Sequence, residues 1–185
     1  MNIILASASP RRLELMQLIT DEFKVIPADV EEVLPDDIGA YQSAEYLARL
    51  KAQSVAADYP DALVIGCDTV VIIDNEVLGK PRTEDEAREM LRKLSGREHS
   101  VVTGCALCCG GRAISFSEKT SVIFYDLSDK EIEEYILTGE SSDKAGAYGI
   151  QGRGALLVKS IVGDYFSVVG MPVSRLKREI ENFSI

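Results

Sequence analysis

The chain has a single histidine, His99, and that scarcity excludes a metal centre built on several imidazoles. Cysteine is sparse as well, limited to Cys67, Cys105, Cys108 and Cys109. Cys105 and Cys108 have the spacing of half a zinc site. No second ligand pair follows, and both lie in an apolar, strand-like run, so buried free thiols are expected. No apolar run approaches the length needed to cross a bilayer, and Met1-Asn2 leads straight into a strand-like run without a basic leader. Those two absences make a soluble, cytoplasmic protein with no membrane partner the expectation. Positive charge is also in deficit: 20 Lys and Arg stand against 30 Asp and Glu, a formal net charge of −10. This argues against stable binding of nucleic acid or of anionic membranes. Any metal would be a hard cation held by carboxylates and substrate oxygens.

What is present is an ordinary globular composition, 46% hydrophobic and 27% charged over 185 residues. That suffices for one domain over residues 1–185, or for two small lobes sharing one sheet. Neither an internal repeat nor a low-complexity linker interrupts an alternation of strand and helix patterns. Strands are expected at Ile3 to Ala6, Phe23 to Pro27 and Ala62 to Ile73. The turn Asp74-Asn75 then returns as Glu76 to Leu78, and a long hairpin spans Ser100 to Cys109 and Ala113 to Tyr125 about Gly110-Gly111. A further strand is expected over Ala155 to Val162.

Helices are expected after Ser9-Pro10, from a Ser43 cap to about Ala57, after Thr83, after Ser128 and after Pro172. Thr83-Glu84-Asp85-Glu86 and Ser128-Asp129-Lys130-Glu131 both read as capping boxes. The second helix has a stripe of Leu47, Leu50 and Ser54, with Lys51 beside it. The last has Val173, Leu176, Ile180 and Phe183 facing inward. The class is α/β with a mixed sheet.

Chemistry concentrates in a few places. Ser7-Ala8-Ser9-Pro10-Arg11-Arg12 sets two hydroxyls and two guanidinium groups at a helix start, where free N–H groups and the helix dipole favour an anion. A phosphate chain fits; a capped helix with two solvated arginines is the competing reading. Asp68 interrupts an apolar strand, and an unpaired carboxylate is costly there, so it must face a cation, a metal or a site. In a site it would act as a general base. Gly79-Lys80-Pro81 fixes a lysine on a loop but lacks the flanking residues of a P-loop. Residues 143–154 form a glycine-rich loop in which Gln151 offers both a donor and an acceptor. Glu31 and Glu32, in the acidic loop, are candidate metal partners of Asp68, against a plain solvated loop.

These segments occur in one order: the Ser7 to Arg12 run, Gly66-Cys67-Asp68-Thr69, Gly79-Lys80-Pro81, Leu94-Ser95-Gly96 with His99, and Thr103-Gly104. Asp143 to Gly152 and Gly163-Asp164-Tyr165 follow. In that order and spacing the chain resembles the Maf family of nucleoside triphosphate pyrophosphatases over essentially its whole length. The resemblance implies an elongated mixed β-sheet flanked by helices, with two lobes around a central cleft. It implies hydrolysis of a nucleoside triphosphate to the monophosphate and diphosphate with Mg²⁺ or Mn²⁺, as nucleotide house-cleaning, and suggests a homodimer. By position it makes Asp68 the proton acceptor. Arg11, Thr69 and Gln151 become specificity positions, and Ser7, Arg12, Lys51 and Lys80 substrate-binding residues. Cys67 stands where members commonly carry alanine or another small residue.

Gln151 can donate to one atom of a base edge and accept from another, which suits the O–NH–O edge of uracil or thymine. A glutamate there would only accept, and would suit a guanine-type base. The branch implied is therefore that of dTTP and UTP. Alternatives are a 7-methyl-GTP pyrophosphatase, a nucleotide-sensing regulator of septum formation, and a broad phosphatase releasing orthophosphate.

Overall fold

The computed structural model describes residues 2–183. Its strands are β1 (Ile3–Leu5), β2 (Lys24–Val25), β3 (Leu63–Ile73), β4 (Glu76–Leu78), β5 (Glu98–Cys109), β6 (Arg112–Phe124) and β7 (Val158–Val162). They form one seven-stranded sheet in the order β2-β1-β3-β5-β6-β7, with β4 paired to β3. β1 runs parallel to β2 and β3, whereas β3–β4 and β6–β7 are antiparallel, so the sheet is mixed. The helices are α1 (Pro10–Gln17), α2 (Ala40–Asp58), α3 (Glu84–Leu94), α4 (Asp129–Ile136), α5 (Tyr165–Val169) and α6 (Val173–Phe183). None of the described helices is long and apolar enough to cross a membrane.

The chain clusters into two compact units. The first comprises Met1–Thr69, Thr103–Glu118 and Gly170–Ile185, and the second Val70–Val102 and Lys119–Val169.

In the first unit, alternation along the strands sends even-numbered residues to one face. Ile4, Ala6, Ala62, Val64, Ala106 and Cys108 make a buried cluster there with Ala48, Ala52 and Val55 of α2. The same alternation disposes of the zinc pattern: Cys105 and Cys108, three apart on β5, point to opposite faces, and all four cysteines are free.

α2 lies against this face with almost no side chain between. A Cβ at Gly66 would sit 2.3 Å from the Ala48 carbonyl oxygen, and one at Gly104 would sit 2.4 Å from the backbone of Ala44 and Glu45. Ala44, Ala48 and Ala52 are all fully buried. The buried face of α2 therefore runs through its alanines, with Leu47 and Val55. The expected members Leu50 and Ser54 are half-buried at its border. A stripe of alanines carries a weak hydrophobic signal, which is why periodicity put the face elsewhere.

Three other expected boundaries move. α2 begins at Ala40 with Gly39 as its N-cap, so Ser43 sits inside the first turn and donates to the Ala40 carbonyl at 2.6 Å. β2 has two residues, and β7 starts at Val158 because Gly152–Leu156 coils into a short 3-10 segment. Ser9 is the N-cap of α1, with Pro10 in the first turn, but its side chain makes no capping bond.

The helices of the second unit start as expected. Ser128 and Glu131 form a complete capping box, while at Thr83 the hydroxyl accepts from Glu86 N–H and the Glu86 carboxylate accepts from Arg82 N–H instead. Asp164 caps the next turn by accepting from Phe166 and Ser167 N–H, as turn and helix-start chemistry. In the core of this unit, His99 is 3% exposed and packs edge-on against Phe124 and Tyr148. Its Nε2 lies 2.7 Å from Tyr148 Oη, and its Nδ1 has no hydrogen-bond partner among the described residues.

Two consequences are measurable. Gly104→Ala forces a Cβ into the α2 backbone, and overpacking of this kind costs about 2 kcal/mol or more. Its thermal midpoint by circular dichroism should fall by roughly 4–8 °C; an unchanged midpoint contradicts the close contact. Burial pulls the His99 imidazole from its ordinary 6.5 down to about 4, against a smaller raising effect of Glu98. The folded state then binds fewer protons than the unfolded chain between those values. The corresponding stability is complete above pH 6.5 and lost as pH falls towards 4, on the order of 3 kcal/mol. In urea titrations at pH 7 and pH 4.5, His99→Gln should lose markedly less stability on acidification than the parent.

Candidate active site

The first unit assembles two groups of the expected residues, one on each face of β3. On the even face, Asp68 follows Gly66 and is 8% exposed. The close approach of α2 lets Lys51 reach over the strand, and its Nζ donates to Asp68 Oδ1 at 2.6 Å. The same ammonium lies 3.0 Å from Glu32 Oε2. The buried carboxylate is therefore paired, as its position in an apolar strand requires. Glu32 reaches Lys51 from the acidic loop, and both it and Glu31 beside it are exposed.

On the odd face, Arg12 of α1 is held by three bonds. Its Nε donates to the Gly170 carbonyl at 3.0 Å, its Nη2 to Thr69 Oγ1 at 3.1 Å and its Nη1 to Ser7 Oγ at 3.5 Å. Ser7 Oγ also accepts from Ser9 N–H at 3.2 Å, turning the chain into α1. Thr69 Oγ1 is in turn 2.8 Å from Thr103 Oγ1 on β5, and Cys67 Sγ is 3.4 Å from Cys105 Sγ. These two pairings step in opposite senses along β3 and β5, which is the pattern of antiparallel neighbours. Arg11 is half-buried beside Arg12.

The arrangement has clear chemical capacity. Guanidinium carries five N–H donors, and three are used within the protein, so Arg12 is fixed in orientation and can still address an oxyanion. The Thr69 hydroxyl is already engaged by Arg12 and Thr103, which makes it a support for the guanidinium. Thr103 and the Gly170 carbonyl were not identified as contributors from sequence. The register that sets Thr103 opposite Thr69 was the missing signal, since the Thr103-Gly104 motif marks the residue without giving it a partner.

Around Lys51, two carboxylates surround one ammonium, leaving excess negative charge where a polyanion would arrive. Among the described residues no group of three or more His, Cys, Asp or Glu converges. Two hard carboxylate oxygens with the remaining positions left to phosphate oxygens and water is how Mg²⁺ is commonly bound, so the donor set fits such a cation.

The second unit carries Lys80 and Gln151, both exposed. Their segments are joined: Gly146 N–H donates to the Gly79 carbonyl at 3.0 Å, so the loop after Lys144 is stitched to the backbone just before Lys80.

Comparison with known proteins agrees with this architecture. Solved structures of a HAM1 protein from Coxiella burnetii (TM-score 0.55, 18% identity, 98% of this chain and 99% of that one) and of the Staphylococcus aureus Ham1 protein (TM-score 0.52, 18% identity, 68% and 73%) share the fold. Sequence similarity is much higher to a dTTP/UTP pyrophosphatase of Geobacillus sp. (strain WCH70), 51% identical over 97% of this chain and 96% of the relative. A dTTP/UTP pyrophosphatase of Bacillus velezensis (strain DSM 23117 / BGSC 10A6 / LMG 26770 / FZB42) is 49% identical over 99% and 97%. The family model described as Maf-like protein matches residues 2–183, and with it the chain belongs to the Maf family.

Proposed function

We propose that the protein is a nucleoside triphosphate pyrophosphatase that hydrolyses dTTP and UTP, or modified pyrimidine nucleotides of the same edge chemistry, to the monophosphate and diphosphate. The observation that carries this reading is the buried Asp68 carboxylate held at 2.6 Å by Lys51, with Glu32 on the same ammonium. A purely structural ion pair has no need of a second carboxylate. A hydrolase that uses a base and a hard cation beside a polyphosphate does. The names of the relatives, near half-identical across almost the entire chain, support the same substrate class. Such an enzyme works in the cytoplasm, where nucleoside triphosphates are made and used.

In this mechanism Asp68 takes a proton from a water molecule. The water oxygen forms a bond to the α-phosphorus, the bond from that phosphorus to the α,β-bridging oxygen breaks, and diphosphate leaves with the electron pair. Lys51 holds the Asp68 carboxylate in place for the proton transfer. Arg12, locked by Gly170, Thr69 and Ser7, meets phosphate oxygens without first paying to order its own side chain. Lys80 adds positive charge for the outer phosphates, Arg11 stands as a specificity position, and Gln151 pairs with the O–NH–O edge of the base. A Mg²⁺ or Mn²⁺ ion bound by Asp68 and Glu32 would supply charge neutralisation for the triphosphate and the departing diphosphate.

Asp68→Asn should keep the fold and lose about 10²–10⁴-fold in kcat, the range for removal of a positioned general base. Full activity in that variant rules out the role. The parent enzyme, incubated with Mg²⁺ and a panel of dTTP, UTP, CTP, GTP, 7-methyl-GTP and ATP, should release monophosphate and diphosphate chiefly from dTTP and UTP. Stripping divalent cations with EDTA should abolish this turnover, and adding back Mg²⁺ or Mn²⁺ should restore it. Preference for 7-methyl-GTP would overturn the Gln151 assignment, and orthophosphate as product would overturn the reaction.

A further inference from the structure

Gln151 is bracketed by two backbone bonds, each made two residues away from it. On one side Gly149 N–H donates to Tyr135 Oη at 3.2 Å. On the other, Arg153 N–H donates to both carboxylate oxygens of Glu140, at 3.2 and 3.1 Å. Between these two holds Ile150 is buried and the Gln151 side chain is exposed.

Both holding groups come from one short, internally braced segment. Tyr135 lies on the buried face of α4 and is 3% exposed. α4 ends one residue later, and its terminal turn is closed by Thr138, whose hydroxyl donates to the Tyr135 carbonyl at 2.6 Å. The same hydroxyl accepts from Glu140 N–H at 3.2 Å, which fixes the backbone from which the Glu140 carboxylate projects. Lys144 Nζ then donates to the Glu140 carbonyl at 2.6 Å. The spacing between Tyr135 Oη and the Glu140 carboxylate is thus set by a helix end.

Two glycines of the loop, Gly152 and Gly154, answer to these two groups. A Cβ at Gly152, which adopts φ +63°, would meet the Glu140 carboxylate at 2.8 Å. A Cβ at Gly154 would lie 2.0 Å from the Gly149 carbonyl oxygen and 3.1 Å from Tyr135 Oη. Gly154 therefore closes the neck of the loop directly over the tyrosine hydroxyl. Gly152 and Gly154 thus serve the fastening of the loop onto α4 and the turn that follows it.

We propose that Tyr135 and Glu140 are positioning residues for Gln151, setting the place from which its amide reads the pyrimidine edge. The proposal rests on the reading of Gln151 given above. Its chemistry predicts a defined signature. An amide that must donate to one atom and accept from another tolerates little displacement, so loosening either hold weakens recognition of the correct base edge more than the bond-breaking step.

The test compares Tyr135→Phe, Glu140→Ala, Glu140→Gln and Gln151→Ala, assayed with dTTP and CTP under Mg²⁺. CTP presents an amino group and an unprotonated nitrogen where thymine has a carbonyl and an N–H. Tyr135→Phe and Glu140→Ala should each lower the dTTP-to-CTP ratio of kcat/KM by about three- to tenfold, the range for losing one hydrogen bond. The loss should appear in KM for dTTP, with kcat changed by less than about twofold. Glu140→Gln retains an acceptor oxygen and should recover most of the ratio. Combined with Gln151→Ala, neither variant should lower the ratio further, since all act on one contact.

A lowered thermal midpoint in both Tyr135→Phe and Glu140→Ala with an unchanged dTTP-to-CTP ratio, while Gln151→Ala collapses that ratio, overturns the positioning role and leaves the Gln151 reading intact. An unchanged ratio in Gln151→Ala itself overturns the reading on which the proposal stands. Should Tyr135→Phe fail to fold, the two Glu140 variants decide the matter, because Glu140 is only half-buried.

Discussion

The approach of α2 to the sheet is the contact on which the first unit depends. Helices usually stand off a sheet by the thickness of two side-chain layers. Here Gly66 and Gly104 lack side chains altogether and Ala44, Ala48 and Ala52 have the smallest ones, so backbone meets backbone. The gain is dense packing and dispersion contact over that patch. The consequence for chemistry is reach: Lys51, on the flank of the same helix, comes down to Asp68 without stretching across a leucine-thick gap. A conventional large-residue interface would have held the ammonium away from the carboxylate. A buried Asp in an apolar strand would then have been untenable.

β3 distributes the work by its pleat. Asp68 faces α2 and its ammonium, while Thr69 faces Arg12 and Thr103. One residue step in a strand thus delivers a carboxylate to one face and a guanidinium anchor to the other. Each face is satisfied internally by hydrogen bonds, which keeps both groups ordered before any ligand arrives. Preorganisation of this kind lets charged side chains act on a polyphosphate without reorganising. It also reconciles an acidic protein with the anionic substrate proposed for it: cations are few, and those at this strand are fixed in position.

Much of the fold was legible because it follows from local rules. The capping residues Thr83 and Ser128, the Asp74-Asn75 turn and the inward stripe of α6 were all read correctly from short-range pattern. The places that moved share a cause. Alanines on α2 bury fully yet contribute little to a hydrophobic stripe, so its face and its start were misplaced. Ala155 to Leu157 read as the start of a strand, but glycines pinned against Glu140 and Tyr135 coil residues 152–156 instead. In the candidate site, Asp68 stood out because charge in an apolar strand is anomalous on its face. Tyr135 and Glu140 did not, since each is an unremarkable residue until its partner is known, and Thr103 stood out only as part of a motif, without a role.

The sequence by itself determined the alternation of strands and helices, the suspicion that Asp68 must find a cation, and the ordered set of motifs that marks the family. Those are properties of residues near one another along the chain, where periodicity and capping chemistry act. Only the tertiary structure decided which partners meet. Lys51 and Asp68 are 17 residues apart, and Arg12 and Thr69 are 57. It likewise decided that Glu32, and not its neighbour, reaches the lysine, and that Gly149, two residues before Gln151, is fastened to Tyr135 of α4. Such pairings depend on sheet register and on how closely a helix can approach, and neither is encoded in any single segment.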